Sequence, residues 1–122
     1  MTNDNEILAL FQDWNNAVQE RDTKRITALY AADAILLPTV SNQVRHSHTE
    51  IEAYFVSFTA REPVGKINEA NIRLLGDIAI NSGVYTFTFA DGLQVQARFT
   101  FVYRNTADGW KIIEHHSSRM PE

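Results

Sequence analysis

The chain has 122 residues, a formal net charge of −4 at pH 7 and no cysteine. That length fits one domain, expected to span residues 1–122. The missing cysteines exclude a disulfide scaffold, a thiolate zinc site, an iron–sulfur cluster and a cysteine nucleophile. The acidic balance argues against nucleic acid as the main partner, because neutralising phosphates needs a basic face. A chain that is 44% hydrophobic and 21% charged is not a disordered one. No signal-like or membrane-spanning apolar run is seen, so the expected setting is the cytoplasm, with no membrane partner.

The first third reads as helix. Ile7, Leu10, Phe11, Trp14, Ala17 and Val18 recur on one helical face. Asn3 or Asp4 can cap its start, and Glu6 lies near the positive end of the helix dipole. A second, shorter helix should begin at Asp22 and bury Ile26, Leu29 and Tyr30. Ala34 to Leu37 is an apolar run stopped by Pro38, read as a strand feeding the polar loop Thr39–His46. A third helix follows, with Ser47 and Glu50 at capping-box spacing and Ile51, Tyr54, Phe55 and Phe58 on its apolar face. Pro63 and Gly65 should end it.

From Lys66 onward the pattern is β. The runs 67–75, 78–89, 93–104 and 110–118 are separated by Gly76-Asp77, Asp91-Gly92 and Asp108-Gly109, residues that tolerate hairpin geometry. Helices first and strands afterwards is an α+β pattern, with helices packed on one face of an antiparallel meander. Alternation puts Tyr85, Phe87, Phe89, Phe99, Phe101 and Tyr103 on one face and Thr86, Thr88, Arg98 and Thr100 on the other. Neither face is strongly polar, so the sheet is expected to be covered on both sides, by helices on one and by a second subunit on the other.

Three stretches carry a family resemblance. Leu29-Tyr-Ala-Ala-Asp-Ala with the loop Leu37-Pro-Thr-Val-Ser-Asn, then Arg45, then Glu50-Ile-Glu-Ala-Tyr-Phe, is similar to the nuclear-transport-factor-2-like superfamily. Phe99-Thr-Phe-Val-Tyr-Arg and the tail Trp110-Lys-Ile-Ile-Glu-His-His-Ser-Ser-Arg-Met-Pro-Glu resemble the association (hub) domain of calcium/calmodulin-dependent protein kinase II and its stand-alone bacterial relatives. The resemblance spans nearly the whole chain. It implies a cone: three N-terminal helices on a strongly curved antiparallel sheet, with a pocket in the concavity. It also implies assembly with copies of itself, as a homodimer or higher oligomer, and binding of a small carboxylate or polar organic ligand. No Gly-rich phosphate loop, His-Arg-Asp or Asp-Phe-Gly motif is present, so no kinase activity follows.

Several residues could carry chemistry. Arg98 heads an apolar strand; inside a cone its planar fork would bind a carboxylate, whereas at the rim it would be an ordinary salt-bridge or solvent charge. Arg45, at the expected mouth, could join it or be a solvated loop charge. His115 and His116 are adjacent on a strand, so only one can enter the pocket. If His115 enters, Ser117 does too; His115 is then either a general-base candidate or a hydrogen-bonded structural histidine. Trp14, Tyr30 and Tyr54 are read as helix aromatics, either plain core or pocket lining, and Thr100 lies on the Arg98 side. No metal site or cofactor is expected. The enzyme alternative is a small acid–base enzyme of the steroid isomerase or polyketide cyclase type. Its usual aspartate is missing from Ile35-Leu-Leu-Pro-Thr-Val, so that chemistry would rest on His115. The balance leans away from catalysis, and a cone filled by its own side chains would favour assembly alone.

Overall fold

A computed structural model describes residues 2–122. Helix α1 runs Asp4–Gln19, with the Asn3 side chain accepting from the Glu6 N–H. Its buried face is Ile7, Phe11, Trp14, Asn15, Ala17 and Val18. Helix α2 runs Thr23–Ala28, capped by Asp22, whose carboxylate accepts from the Arg25 N–H. Helix α3 runs His48–Thr59. Ser47 caps it by accepting from the Glu50 N–H at 3.2 Å, while Glu50 reaches back one residue beyond the cap to accept from the His46 N–H at 2.8 Å. The helix starts are thus those the polar residues set, each satisfying otherwise orphaned donors.

The described residues also form five strands, β1 between α2 and α3 and the rest after α3: β1 Tyr30–Leu37, β2 Val64–Leu75, β3 Ile78–Thr88, β4 Gln94–Thr106 and β5 Gly109–Arg119. They form one sheet in the order β1-β5-β4-β3-β2. Strands β2 to β5 are the expected antiparallel meander. Strand β1 is the exception, adding to the edge of β5 in parallel. It also starts earlier than expected. Tyr30 is not the end of a helix: α2 stops at Ala28, and Tyr30 opens β1 opposite Ile112. The backbone N–H and C=O groups of this segment therefore pair with β5 rather than within a helix.

The register shifts at Asn68 of β2 and at Ile113 of β5, each an extra residue against the neighbouring strand, and again along β1 between Tyr30 and Ile35. Opposite the first lies Gly83, where a Cβ would come within 1.9 Å of the Glu69 carbonyl oxygen. Only glycine permits that close approach. At the start of β2, Asn15 clamps Gly65 by donating to its carbonyl at 2.9 Å and accepting from its N–H at 3.0 Å. This ties α1 across the concave face.

The alternation read from sequence holds. Tyr85, Phe87, Phe89, Phe99, Phe101, Tyr103 and His115 turn inward and are buried with Trp14, Phe11, Phe55 and Phe58. Thr86, Thr88, Arg98 and Thr100 turn outward. The helices cover only the inner face. On the outer face, Ile35, Leu37, Ile78, Ile80, Val84 and Val102 are half-buried, interleaved with exposed Arg98, Arg104, Glu114 and His116.

Candidate functional site

Strand β5 delivers the centre of the site. Beyond the extra residue Ile113, the β4–β5 register places His115 opposite Phe101 and Ser117 opposite Phe99, both inward. His115 is 3% exposed. Its ring stacks on Phe101 with centroids 3.9 Å apart and meets the edge of Trp14 at 5.7 Å. Both ring nitrogens are engaged: Nδ1 lies 2.8 Å from the Tyr30 hydroxyl and Nε2 lies 3.2 Å from the Tyr85 hydroxyl.

These contacts extend into a chain. Trp14 Nε1 donates to the Tyr30 hydroxyl at 3.1 Å. Tyr85 donates to Ser117 Oγ at 2.6 Å, and Ser117 Oγ hydrogen-bonds Thr39 Oγ1. Burial disfavours every charged form here. It pushes His115 down to about 3, with a smaller push from neighbouring His116. Burial likewise pushes the hydroxyls of Tyr30, Tyr54 and Tyr85 up from their ordinary range. Near neutral pH the imidazole is uncharged and the phenols keep their protons.

The chain ends in a cavity. It is lined by the aromatic residues Trp14, Phe55, Phe58, Phe87 and Phe89, by the polar Tyr54, Tyr85, His115 and Ser117, and by Pro38, Thr39 and Val40 of the loop after β1. The space measures about 390 Å³ including its open mouth, but only about 20 Å³ of it admits the centre of a water molecule. That is room for roughly one water. The Thr39–Ser117 contact holds the loop after β1 over the opening. No carboxylate lines this cavity.

A second depression shares Val40, Tyr54 and Phe58 with the cavity and adds Ser41, Arg45, Ser57 and Arg61. The Leu36–Arg45 bridge fixes the base of the loop here. Arg45 lies over the Tyr54 ring at 5.7 Å and donates to the Glu50 carbonyl and to Ser41 Oγ. Its Nε is buried without a hydrogen-bond partner. Arg61 lies over the Phe89 ring at 3.9 Å. Neither guanidinium is among the ion pairs of the described residues, which are Lys24–Glu52, Arg25–Glu20 and His46–Glu50.

The structure brings together Trp14, Tyr30, Tyr54, His115 and Ser117, with Arg45 at the mouth. It does not bring in Arg98 or Thr100. Arg98 is exposed on the outer face between Val84 and Ser118, and Thr100 lies there between Ser82 and His116. The reason is the two-residue period. On β4 the aromatic residues take the inner face, and α1 packs against them, so Arg98 must point the other way. The Arg45–Arg98 pair is therefore not assembled, and Arg61 is the second arginine of the mouth. Tyr85, Thr39 and Arg61 went unrecognised as site residues. For Tyr85 a signal existed, since it shares the aromatic face with His115 across the sheet. Thr39 and Arg61 lie in a loop and a helix-terminal turn, where no periodicity marks them. Among the described residues no cluster of three His, Asp or Glu side chains could hold a metal ion, and no helix is long and apolar enough to cross a membrane.

The curved sheet over a long first helix, with a pocket at its open end, is the cone of the nuclear-transport-factor-2-like, cystatin-like folds. Residues 3–121 match the model of the calcium/calmodulin dependent protein kinase II association domain, and the chain belongs to that family. It is similar to a solved protein from Xanthomonas campestris, provisionally named as such an association domain. The two are 47% identical with a TM-score of 0.95, over 100% of this chain and 91% of that one. A nuclear-transport-factor-2-like protein of unknown function from Pseudomonas putida shares the fold at 23% identity and a TM-score of 0.82, over 93% and 84% of the two chains. So does a protein provisionally named a ketosteroid isomerase from Shewanella frigidimarina, at 23% identity and a TM-score of 0.77, over 90% and 92%. No curated protein matches the chain.

Proposed function

We propose that this protein is a self-associating module whose cone takes a small organic ligand, and that it is not an acid–base enzyme. The observation that carries this reading is the state of His115. A general base needs a free lone pair within reach of substrate. Here both ring nitrogens are occupied by tyrosine hydroxyls, and burial weakens the imidazole as a base. No carboxylate stands in for it. What the cone offers instead is aromatic walls, neutral hydroxyls and two arginines at the mouth. That combination suits an apolar ring or chain bearing a polar or carboxylate group, whose anion Arg45 and Arg61 would meet from outside. Entry of a ligand larger than water requires the loop 38–44 to swing away, because behind its mouth the cavity holds only about one water.

Self-association is supported by the family's name and by the outer sheet face. Half-buried Ile78, Ile80, Val84 and Val102 make a band that antiparallel sheets do not ordinarily leave to water. Light scattering after size exclusion tests this half. The wild type is expected to run as a dimer or larger at micromolar concentration, and Val84→Asp is expected to shift it toward monomer. A wild-type monomer would defeat the reading. For the catalytic alternative, a screen on enolisable ketones and hydroxy acids is expected to find no turnover. Turnover that His115→Ala abolishes would restore the enzyme reading.

A further inference from the structure

The chain of hydrogen bonds through the cone has a direction, and the direction has a consequence for what can bind. Indole nitrogen is a donor only, so Trp14 Nε1–H fixes one end: the Tyr30 oxygen accepts from it at 3.1 Å. The Tyr30 proton then has one partner in reach, His115 Nδ1 at 2.8 Å. Were Nδ1 protonated instead, Tyr30 would face two donors and its own O–H would be left unpaired at 1% exposure, a buried orphan that costs more than the bond it replaces. Nδ1 is therefore the acceptor, and the single proton of the neutral ring sits on Nε2. That N–H donates to the Tyr85 oxygen at 3.2 Å, and Tyr85 passes its own proton to Ser117 Oγ at 2.6 Å. Ser117, itself buried, keeps its own proton, and Thr39 Oγ1 lies within its hydrogen-bond reach, either hydroxyl being able to donate to the other.

We propose that the cone presents Ser117 to its ligand as a better donor than acceptor, because its oxygen already accepts from Tyr85, and so favours molecules that place a hydrogen-bond acceptor such as a carbonyl oxygen at the position Thr39 Oγ1 fills. When Thr39 swings out with the loop, Ser117 is the terminal donor. Each bond polarises the next in a low-dielectric interior, which strengthens the terminal donor. The aromatic walls give an aryl or cyclic body a place to stack. The ligand class is then an aryl or cyclic carbonyl compound. This deepens the ligand-binding reading above and rests on it.

Two measurements test the inference, one without any ligand. Nitrogen-15 shifts of the His115 ring in the wild-type protein are expected to show Nδ1 unprotonated and Nε2 protonated; the reverse tautomer overturns the chain's direction. Titrations followed in amide spectra then compare acetophenone, which only accepts, with indole, whose N–H only donates. Ser117→Ala is expected to weaken acetophenone about five-fold, the scale of one net hydrogen bond, and to weaken indole by less. An equal or larger loss for indole overturns the acceptor preference while leaving the cone a ligand site. Failure of both probes to bind the wild type at millimolar concentration, with the expected tautomer, instead removes the ligand-binding reading and this inference with it.

Discussion

The two faces of the sheet are built by the same residues in alternation and differ in almost every property. On β4, Phe99, Phe101 and Tyr103 are buried against α1, while Arg98, Thr100 and Val102, one step away, face outward. The inner face is aromatic, with Tyr30, His115, Tyr85 and Ser117 tied into one neutral chain and Asn81 and the Tyr103 hydroxyl buried without partners. The outer face mixes half-buried aliphatics with unpaired charge. The difference teaches that the charge expected inside the cone was excluded by the cone's own packing. An interior this tightly filled tolerates neutral hydroxyls and a neutral imidazole, but not an isolated guanidinium.

The sharpest way to break the contrast is to remove the residue on which the inner face converges. Phe101 stacks on His115 and Tyr103 and meets Phe11 and Trp14 nearly edge-on. Phe101→Ala is expected to cost about 3–5 kcal/mol, the range for a large aromatic deleted from a packed core, read from urea unfolding. Val102→Ala, the next residue on the half-buried face, should cost far less in a monomeric reference. Equal costs would mean that the two faces are equally buried.

A smaller effect comes from pH. In the unfolded chain His115 has the ordinary histidine value near 6.5, while burial holds it at about 3 in the folded protein. Between those values the unfolded chain binds the extra proton, so stability is fully present above the unfolded value and falls as pH drops below it. The slope contributed by one such group approaches about 1 kcal/mol per pH unit. Unfolding free energies at pH 7 and pH 5 are expected to differ more for the wild type than for His115→Gln. The outward-facing His116, replaced in the same way, serves as the control. An unchanged pH dependence in His115→Gln would show that His115 titrates normally in the folded state.

Much of this contrast was legible in the sequence, and its limits have physical causes. The apolar stripe from Ile7 to Val18, the Ser47 cap and the hairpins around Gly76, Gly92 and Gly109 depend on local spacing, and each lies where local spacing puts it. The alternation on β3 and β4 was likewise readable. What was not readable is which face would become concave, because that is decided by where α1 packs, through contacts such as Asn15 to Gly65. The same holds for β1, whose parallel pairing with β5 joins Tyr30 to Ile112. No rule of local spacing reaches that far, and so Tyr30 was read as helix and its partnership with His115 went unseen.

Arg98 gives the smallest expected effect and the cleanest control for the comparison. Exposed and outward, it is in none of the ion pairs of the described residues, so Arg98→Ala is expected to change the unfolding free energy by no more than about 0.5 kcal/mol. It should also leave acetophenone affinity and the His115 tautomer untouched. Arg45→Ala, at the mouth, is expected instead to weaken an aryl carboxylate such as benzoate while sparing acetophenone, because only the former brings a charge for the guanidinium to meet. The pair of variants therefore tests position rather than charge. If Arg98→Ala weakened benzoate as much as Arg45→Ala does, the outer face would be within electrostatic reach of the cone. The alternation of β4 would then not be what separates the two environments.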